Sequence, residues 1–212
     1  MTKPAQGFTL AELAIVLIII GVLLTGVLMT GDTILARVRI ASLLSSIKDL
    51  ATASQAFKTR FGSYPGDLPN AGTYITTNGG ISAPCTYAIG GQVGNGLVDT
   101  VAESTCALEH LVKAGFLTKV DFDGANYSIN PTVANNVRLS LWSNILTNEN
   151  AVRITNLPCT IALEIDSKFD SATAATPFSQ GWLTAQDGLG AQIATCVPGG
   201  ANDPVPTILI KY

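Results

Sequence analysis

From Leu13 to Met29 the chain offers almost nothing but apolar side chains, and the 22 residues from Phe8 to Met29 carry one charge, Glu12. A helix of about 20 apolar residues, rising about 1.5 Å per residue, spans the hydrocarbon core of a bilayer. The run is therefore expected to form a transmembrane helix with a carboxylate one turn inside it. A carboxylate in lipid is costly and reads as functional, with a partner to be named. The plain alternative is a shallow Glu12 that snorkels to the headgroups. An ordinary secretory signal would have an apolar region of about 7–15 residues closed by a small-x-small site. This run is longer.

Directly before it stands Gly7-Phe8-Thr9-Leu10-Ala11-Glu12, behind a polar leader, Met1 to Gln6. That hexapeptide beside an apolar helix resembles the processing site of type IV prepilins and type II secretion pseudopilins. The resemblance implies that a membrane peptidase cuts after Gly7, that the new first residue, Phe8, is N-methylated, and that Glu12 is the assembly residue. Lys3 is the leader's only charged side chain, and Gln6 stands where the family commonly has lysine or arginine. Cleavage would free an α-amino group of pKa about 7.7–8.0, largely protonated at neutral pH. Glu12 of a neighbouring subunit could supply its anion. The implied partners are other pilin or pseudopilin subunits in a helical homo- or hetero-polymer, the prepilin peptidase/methyltransferase and an inner-membrane assembly platform. The implied location is the bacterial inner membrane, single-pass, with the head in the periplasm, and afterwards the pilus or pseudopilus. A minor, tip-located pilin acting in binding, adhesion or secretion-substrate recognition is the alternative role.

The expected organisation is a leader over 1–7, a transmembrane and filament-core helix over 8–31, an amphipathic continuation over 32–61 and a globular extracytoplasmic head over 62–212. Beyond Asp32, apolar or small residues recur at Ile34, Val38, Ala41, Leu44, Ile47, Ala51, Ser54, Phe57 and Phe61, in steps of three and four that mark one helical face. No proline intervenes before Pro65, and Gly62 and Pro65 supply the stop. Gly21, Gly26 and Gly31 read either as close-packing positions in lipid or as points of local melting. The fold class implied by the resemblance is α+β, a long N-terminal helix packed on a head with an antiparallel sheet.

Charge divides the chain. Residues 32–61 hold five basic and two acidic side chains, a net of +3, whereas 62–212 hold six basic and twelve acidic ones, a net of −6. An acidic head argues against binding nucleic acid through its phosphates. Four cysteines, Cys85, Cys106, Cys159 and Cys196, all fall in the head, with no CxxC pair and a single histidine in the chain, so zinc is poorly supported. Outside the cytoplasm they read as two disulfides with three possible pairings. The sequential pairing, Cys85–Cys106 and Cys159–Cys196, is the expectation; each bond closes a loop of about 20–40 residues, worth roughly 3–4 kcal/mol by chain entropy.

Within the head, Tyr64-Pro65-Gly66-Asp67-Leu68-Pro69-Asn70-Ala71 is turn chemistry and resembles a Pro-Gly-Asp-x-Pro-Asn-Ala loop of a prepilin-like subgroup. Thr100-Val101-Ala102-Glu103 predicts a capping box, with a helix from about Val101 to Ala114, Ala107, Leu108, Leu111 and Val112 inward, and Gly115 as its stop. Val137 to Trp142 alternates as a strand. Asn156-Leu157-Pro158 reads as a helix cap and first turn, with Leu157, Ile161, Ile165 and Phe169 as the apolar stripe, a strand over Cys159 to Ile165 being the alternative; Gly181–Ala185 and Pro206–Tyr212 read as closing strands. Candidate chemistry is thin. Gly90 to Gly96 lacks the lysine of a phosphate loop. Ser45-x-x-Lys48 matches a nucleophile motif without its partner motifs. His110 reads as a surface or capping histidine. Asp166 and Asp170, in Ile165-Asp166-Ser167-Lys168-Phe169-Asp170, are too few carboxylates for calcium and read as a solvated or lysine-paired face. No enzyme, cofactor or metal is expected.

Overall fold

The computed structural model describes residues 9–86, 93–124, 126–134, 136–144, 147–169, 177–178, 181–187 and 189–212, the side chains of 24–33 and 144 excepted. In chain order the elements are α1 (Leu10–Phe61), α2 (Ala71–Tyr74), α3 (Ala83–Thr86), α4 (Val101–Lys113), β1 (Asp121–Phe122), β2 (Tyr127–Ser128), β3 (Arg138–Asn144), β4 (Glu149–Leu157), α5 (Cys159–Phe169), β5 (Leu183–Gln186), β6 (Gln192–Ile193) and β7 (Val205–Lys211). Helices and antiparallel sheet mix, so the class is α+β.

The chain divides into two compact units, Met1–Arg39 and Ile40–Tyr212. α1 is a single 52-residue helix that passes Gly21, Gly26 and Gly31 without a break. Gly62 ends it at φ +80°, donating its N–H to Lys58 O at 2.8 Å. Only glycine takes that left-handed turn at no steric cost. In the first unit every described side chain from Thr9 to Leu23 is exposed, including Leu13, Ile15, Leu17, Ile18 and Leu23. Among the described residues no helix is long and apolar enough to cross a membrane. The expected span continues through residues 24–29, whose side chains lie outside that set.

In the second unit α1 buries Ile40, Leu43, Ile47, Leu50, Ser54 and Phe57, again in steps of three and four. This corrects the expected stripe. Ile47, Ser54 and Phe57 are shared, but Ile34, Val38 and Ala41 are exposed, and Leu44, Ala51 and Phe61 only flank the core. The face turns toward Ile40, Leu43 and Leu50 because these remove more apolar surface from water than Ala41 or Ala51 could. Phe57 then meets Phe61 at 4.5 Å and Phe116 at 5.9 Å between ring centroids.

The main sheet has the order β3-β4-β7-β5-β6, every pair antiparallel. The expected strands lie within or beside β3, β5 and β7. The nine-residue β4, seated between β3 and β7, is not anticipated by periodicity. Val152 and Ile154 are buried on one face while Arg153 and Thr155 are half-buried on the other, but the adjoining Asn150 and Ala151 are both buried and interrupt the alternation. The segment from Cys159 is the helix α5, which buries Cys159, Ala162, Ile165 and Asp166. Phe169, expected on its apolar stripe, is 40% exposed. α4 begins with the expected capping box: Glu103 N donates to Thr100 Oγ1 at 3.2 Å, and Thr100 N to Glu103 Oε2 at 3.0 Å.

Candidate functional site

Of the N-terminal site, Gly7 and Phe8 lie outside the described residues, and Thr9 and Glu12 are described. Thr9 precedes the first turn of α1, and the Glu12 side chain folds back onto it. Thr9 N donates to Glu12 Oε2 at 2.8 Å, Thr9 Oγ1 donates to the same oxygen at 2.9 Å, and Glu12 N donates to Thr9 Oγ1 at 3.3 Å. This is a reciprocal capping box, which satisfies amides that a helix start leaves without partners. The signal was present as Thr-x-x-Glu, the same spacing as Thr100 and Glu103. It was obscured because Glu12 sits in an apolar run and reads first as an intramembrane charge. Oε2 accepts both bonds, and among the described residues Oε1 accepts none.

The cysteines form two bonds. Cys85 pairs with Cys106 and Cys159 with Cys196, at Cα–Cα distances of 5.4 and 5.8 Å, inside the usual range for a bridge. The first joins α3 to α4, and the second ties a loop to α5. Cys106 lies on α4 and Cys159 opens α5, where its N–H donates to Asp203 Oδ1 at 2.9 Å. Gly199 N donates to Asp203 Oδ2 at 2.6 Å, and these two N–H groups hold the Asp203 carboxyl below its ordinary pKa.

His110 is not at the surface. It is 1% exposed on α4, where Nδ1 accepts from Gly66 N at 3.0 Å and Nε2 meets Cys85 O at 3.1 Å. An imidazole that accepts at Nδ1 and donates at Nε2 is neutral, and burial lowers its pKa further. The helix period places His110 inward with Ala107 and Leu111, and a polar residue there needs partners. The Pro-Gly-Asp loop and the Cys85 loop supply them.

Gly66 belongs to the same joint. Its φ is +91°, and a Cβ built on it would lie 2.2 Å from Glu103 O. Asp67 is fully buried and accepts from Gly94 N, from Asn95 N at 3.1 Å and from Gly96 N at 2.9 Å. Of the glycine-rich stretch, then, the described amides hold a carboxylate of this chain itself; Gly90 to Gln92 lie outside the described residues. α4 is thus a hub to which two segments are fastened, one through Gly66 and one through Ser82 and Cys85.

Asp166 is 3% exposed, which corrects its reading as a solvated or lysine-paired group. Lys168 instead pairs with Glu164, one turn earlier on α5, at 3.1 Å. Asp170 lies outside the described residues, and among those described no group of three or more His, Cys, Asp or Glu could hold a metal ion. Ser45 and Lys48 are exposed on α1.

No curated protein and no solved structure matches the chain. The family profile of the prokaryotic N-terminal methylation motif matches residues 2–28, a segment that contains the leader from Thr2, Gly7, Phe8, the Thr9–Glu12 capping box and most of the apolar run. The chain carries the prepilin-type N-terminal methylation signature.

Proposed function

We propose that this chain is the precursor of a structural subunit of a type IV pilus or type II secretion pseudopilus. It is cut after Gly7, N-methylated at Phe8, and polymerised through its N-terminal helix. The methylation motif over residues 2–28 carries the reading. The exposed apolar side chains of α1 from Leu10 to Leu23 support it. A contiguous apolar surface of that extent calls for lipid or for like helices, and a pilin meets each in turn: the inner membrane as precursor, then the filament core. Glu12 is the assembly residue in this reading, its carboxylate pairing with the Phe8 ammonium of a neighbour. The head stands outside the inner membrane, where its disulfides persist. The role is structural rather than catalytic.

Mass spectrometry of assembled protein tests this. The expected product lacks Met1 to Gly7 and carries a methyl group on Phe8, and a bulky substitution at Gly7 leaves uncut precursor in the membrane. An intact Met1 terminus on filament-borne protein would refute the reading. The competing role, a minor tip-located binding subunit, predicts far fewer copies in sheared filaments than a major subunit.

A further inference from the structure

Arg138, Ser140 and Trp142 on β3 lie opposite Thr155, Arg153 and Ala151 on β4, so alternate residues of both strands share one face of the sheet. With Ser104 of α4 and Ser128 of β2, that face encloses a cleft of about 460 Å³. Arg153 is held firmly within it. Its Nε donates to Ser140 Oγ at 3.0 Å, one terminal nitrogen reaches Ser104 Oγ at 3.5 Å, and its guanidinium stacks 4.3 Å above the Trp142 ring.

Neither arginine has a carboxylate partner among the described residues, where the ion pairs are Lys168–Glu164 and Lys211–Glu149. The nearest acid in the cleft lining, Asp123, accepts from Asn126 N at 2.7 Å. Burial lowers the Arg153 pKa from its usual value, but arginine stays charged in proteins. A half-buried guanidinium without an anion is an unfavourable arrangement. It stands in a region with twice as many acidic as basic side chains. Of five N–H donors on Arg153, the two hydroxyl bonds occupy only part. Ser140 and Ser128 accept bonds from Arg153 and Asn130, and among the described residues neither hydroxyl donates one.

We propose that this cleft binds a tetrahedral oxyanion, a phosphoryl or sulfuryl group, gripped by Arg153 and Arg138 and by the Ser140 and Ser128 hydroxyls. The planar guanidinium fork suits such an anion, and hydroxyl donors complete its shell. The site is independent of N-terminal processing. The test uses the full chain in detergent, titrated with inorganic phosphate and, separately, glycerol 3-phosphate. Trp142 fluorescence is the readout in a Trp182→Phe background, since the only other tryptophan is Trp182.

Saturable binding is expected, weakened about tenfold or more by Arg153→Gln and by a smaller factor by Arg138→Gln, each removing one charge-assisted contact. Arg153→Lys keeps charge without the fork and should fall between. Arg138 is exposed, so its variant keeps the test valid if Arg153→Gln misfolds. Tighter binding of the monoester would place the group on a larger molecule, and equal binding would make the free ion the ligand; both keep the site. No saturable response to either probe, or unchanged binding in Arg138→Gln and Arg153→Lys, overturns it.

Discussion

Glu12 meets Thr9 through one carboxylate oxygen, and among the described residues the other accepts no bond, so capping α1 and pairing with a neighbour's ammonium are compatible. Substitution separates the two jobs. Glutamine serves as well as glutamate at the third position of a capping box, so Glu12→Gln keeps the helix start and removes only the charge. Thr9→Ala removes the cap, at about 1 kcal/mol of helix stability, and keeps the charge. If the charge assembles the filament, Thr9→Ala strains make filaments near the normal yield, while Glu12→Gln and Glu12→Leu strains make few or none. Membrane levels and cleavage stay normal in all three, because Gly7 is untouched. Filament yield is measured in strains without an unmutated copy, together with the methylation state of Phe8. Wild-type yield from Glu12→Gln would end the charge-pairing role, and loss of filaments in Thr9→Ala would transfer the role to the cap. This site was half legible. The motif could be read letter by letter, but the bond between its first and last polar residues could not, since an apolar context hid a familiar spacing.

At the scale of elements, α4 and the loop at Gly66 make the firmest contrast. Gly62 and Gly66 both have positive φ, +80° and +91°. An added Cβ meets nothing within 4 Å at Gly62, whereas at Gly66 it strikes the Glu103 carbonyl. Gly62→Ala should therefore cost only the left-handed strain, about 1–2 kcal/mol. Gly66→Ala adds a backbone shift worth about 1–3 kcal/mol more and should also loosen the His110 bond. Denaturant midpoints of the two variants check this, and equal losses would contradict the packing argument. His110 gives the joint a pH dependence. Its folded pKa is lowered, so between that value and the unfolded pKa of about 6.5 the unfolded chain binds the extra proton. The stabilisation is full above about pH 6.5 and is lost as pH falls below it, by up to about 1.4 kcal/mol per pH unit. His110→Asn should flatten that part of the stability profile relative to the unmutated chain. An unchanged slope would mean that His110 does not titrate there. Sequence periodicity placed His110 on the right helix but could not supply its acceptor and donor, which come from residues 44 and 25 positions away. β4 escaped for the same reason: its buried Asn150 meets Val98 N and Gly96 O, 52 and 54 positions away, which no local period shows.

Over the whole molecule, the apolar residues split into two populations with opposite demands. From Ile40 onward they form a core cluster that includes Ile40, Leu50 and Phe57 of α1, Leu111 of α4, Ile154 of β4 and Ile208 of β7. Both disulfides lie within the same unit, spanning 21 and 37 residues. Each removes about 3–4 kcal/mol of chain entropy from the unfolded state. Before Arg39 the described apolar side chains are exposed, from Leu10 to Leu23 and again at Ile34, Leu35 and Val38. The first unit thus needs an apolar solvent or a neighbour, and the second supplies its own. The charge division and the length of the helix were legible from the sequence; which side chains of residues 40–61 enter the core of the second unit was not, since the buried face turns to Ile40, Leu43 and Leu50. A chain shortened to residues 32–212 keeps the whole buried face of α1, with one further turn or two to absorb fraying. It should be soluble without detergent, monomeric by size-exclusion chromatography, and unfold in one cooperative transition. Reducing both bonds should lower its stability by several kcal/mol, about 3–4 for each bond. The full chain should aggregate once detergent is withdrawn. A shortened chain that aggregates although both bonds have formed would show that the second unit needs the first, and would overturn the division at Arg39.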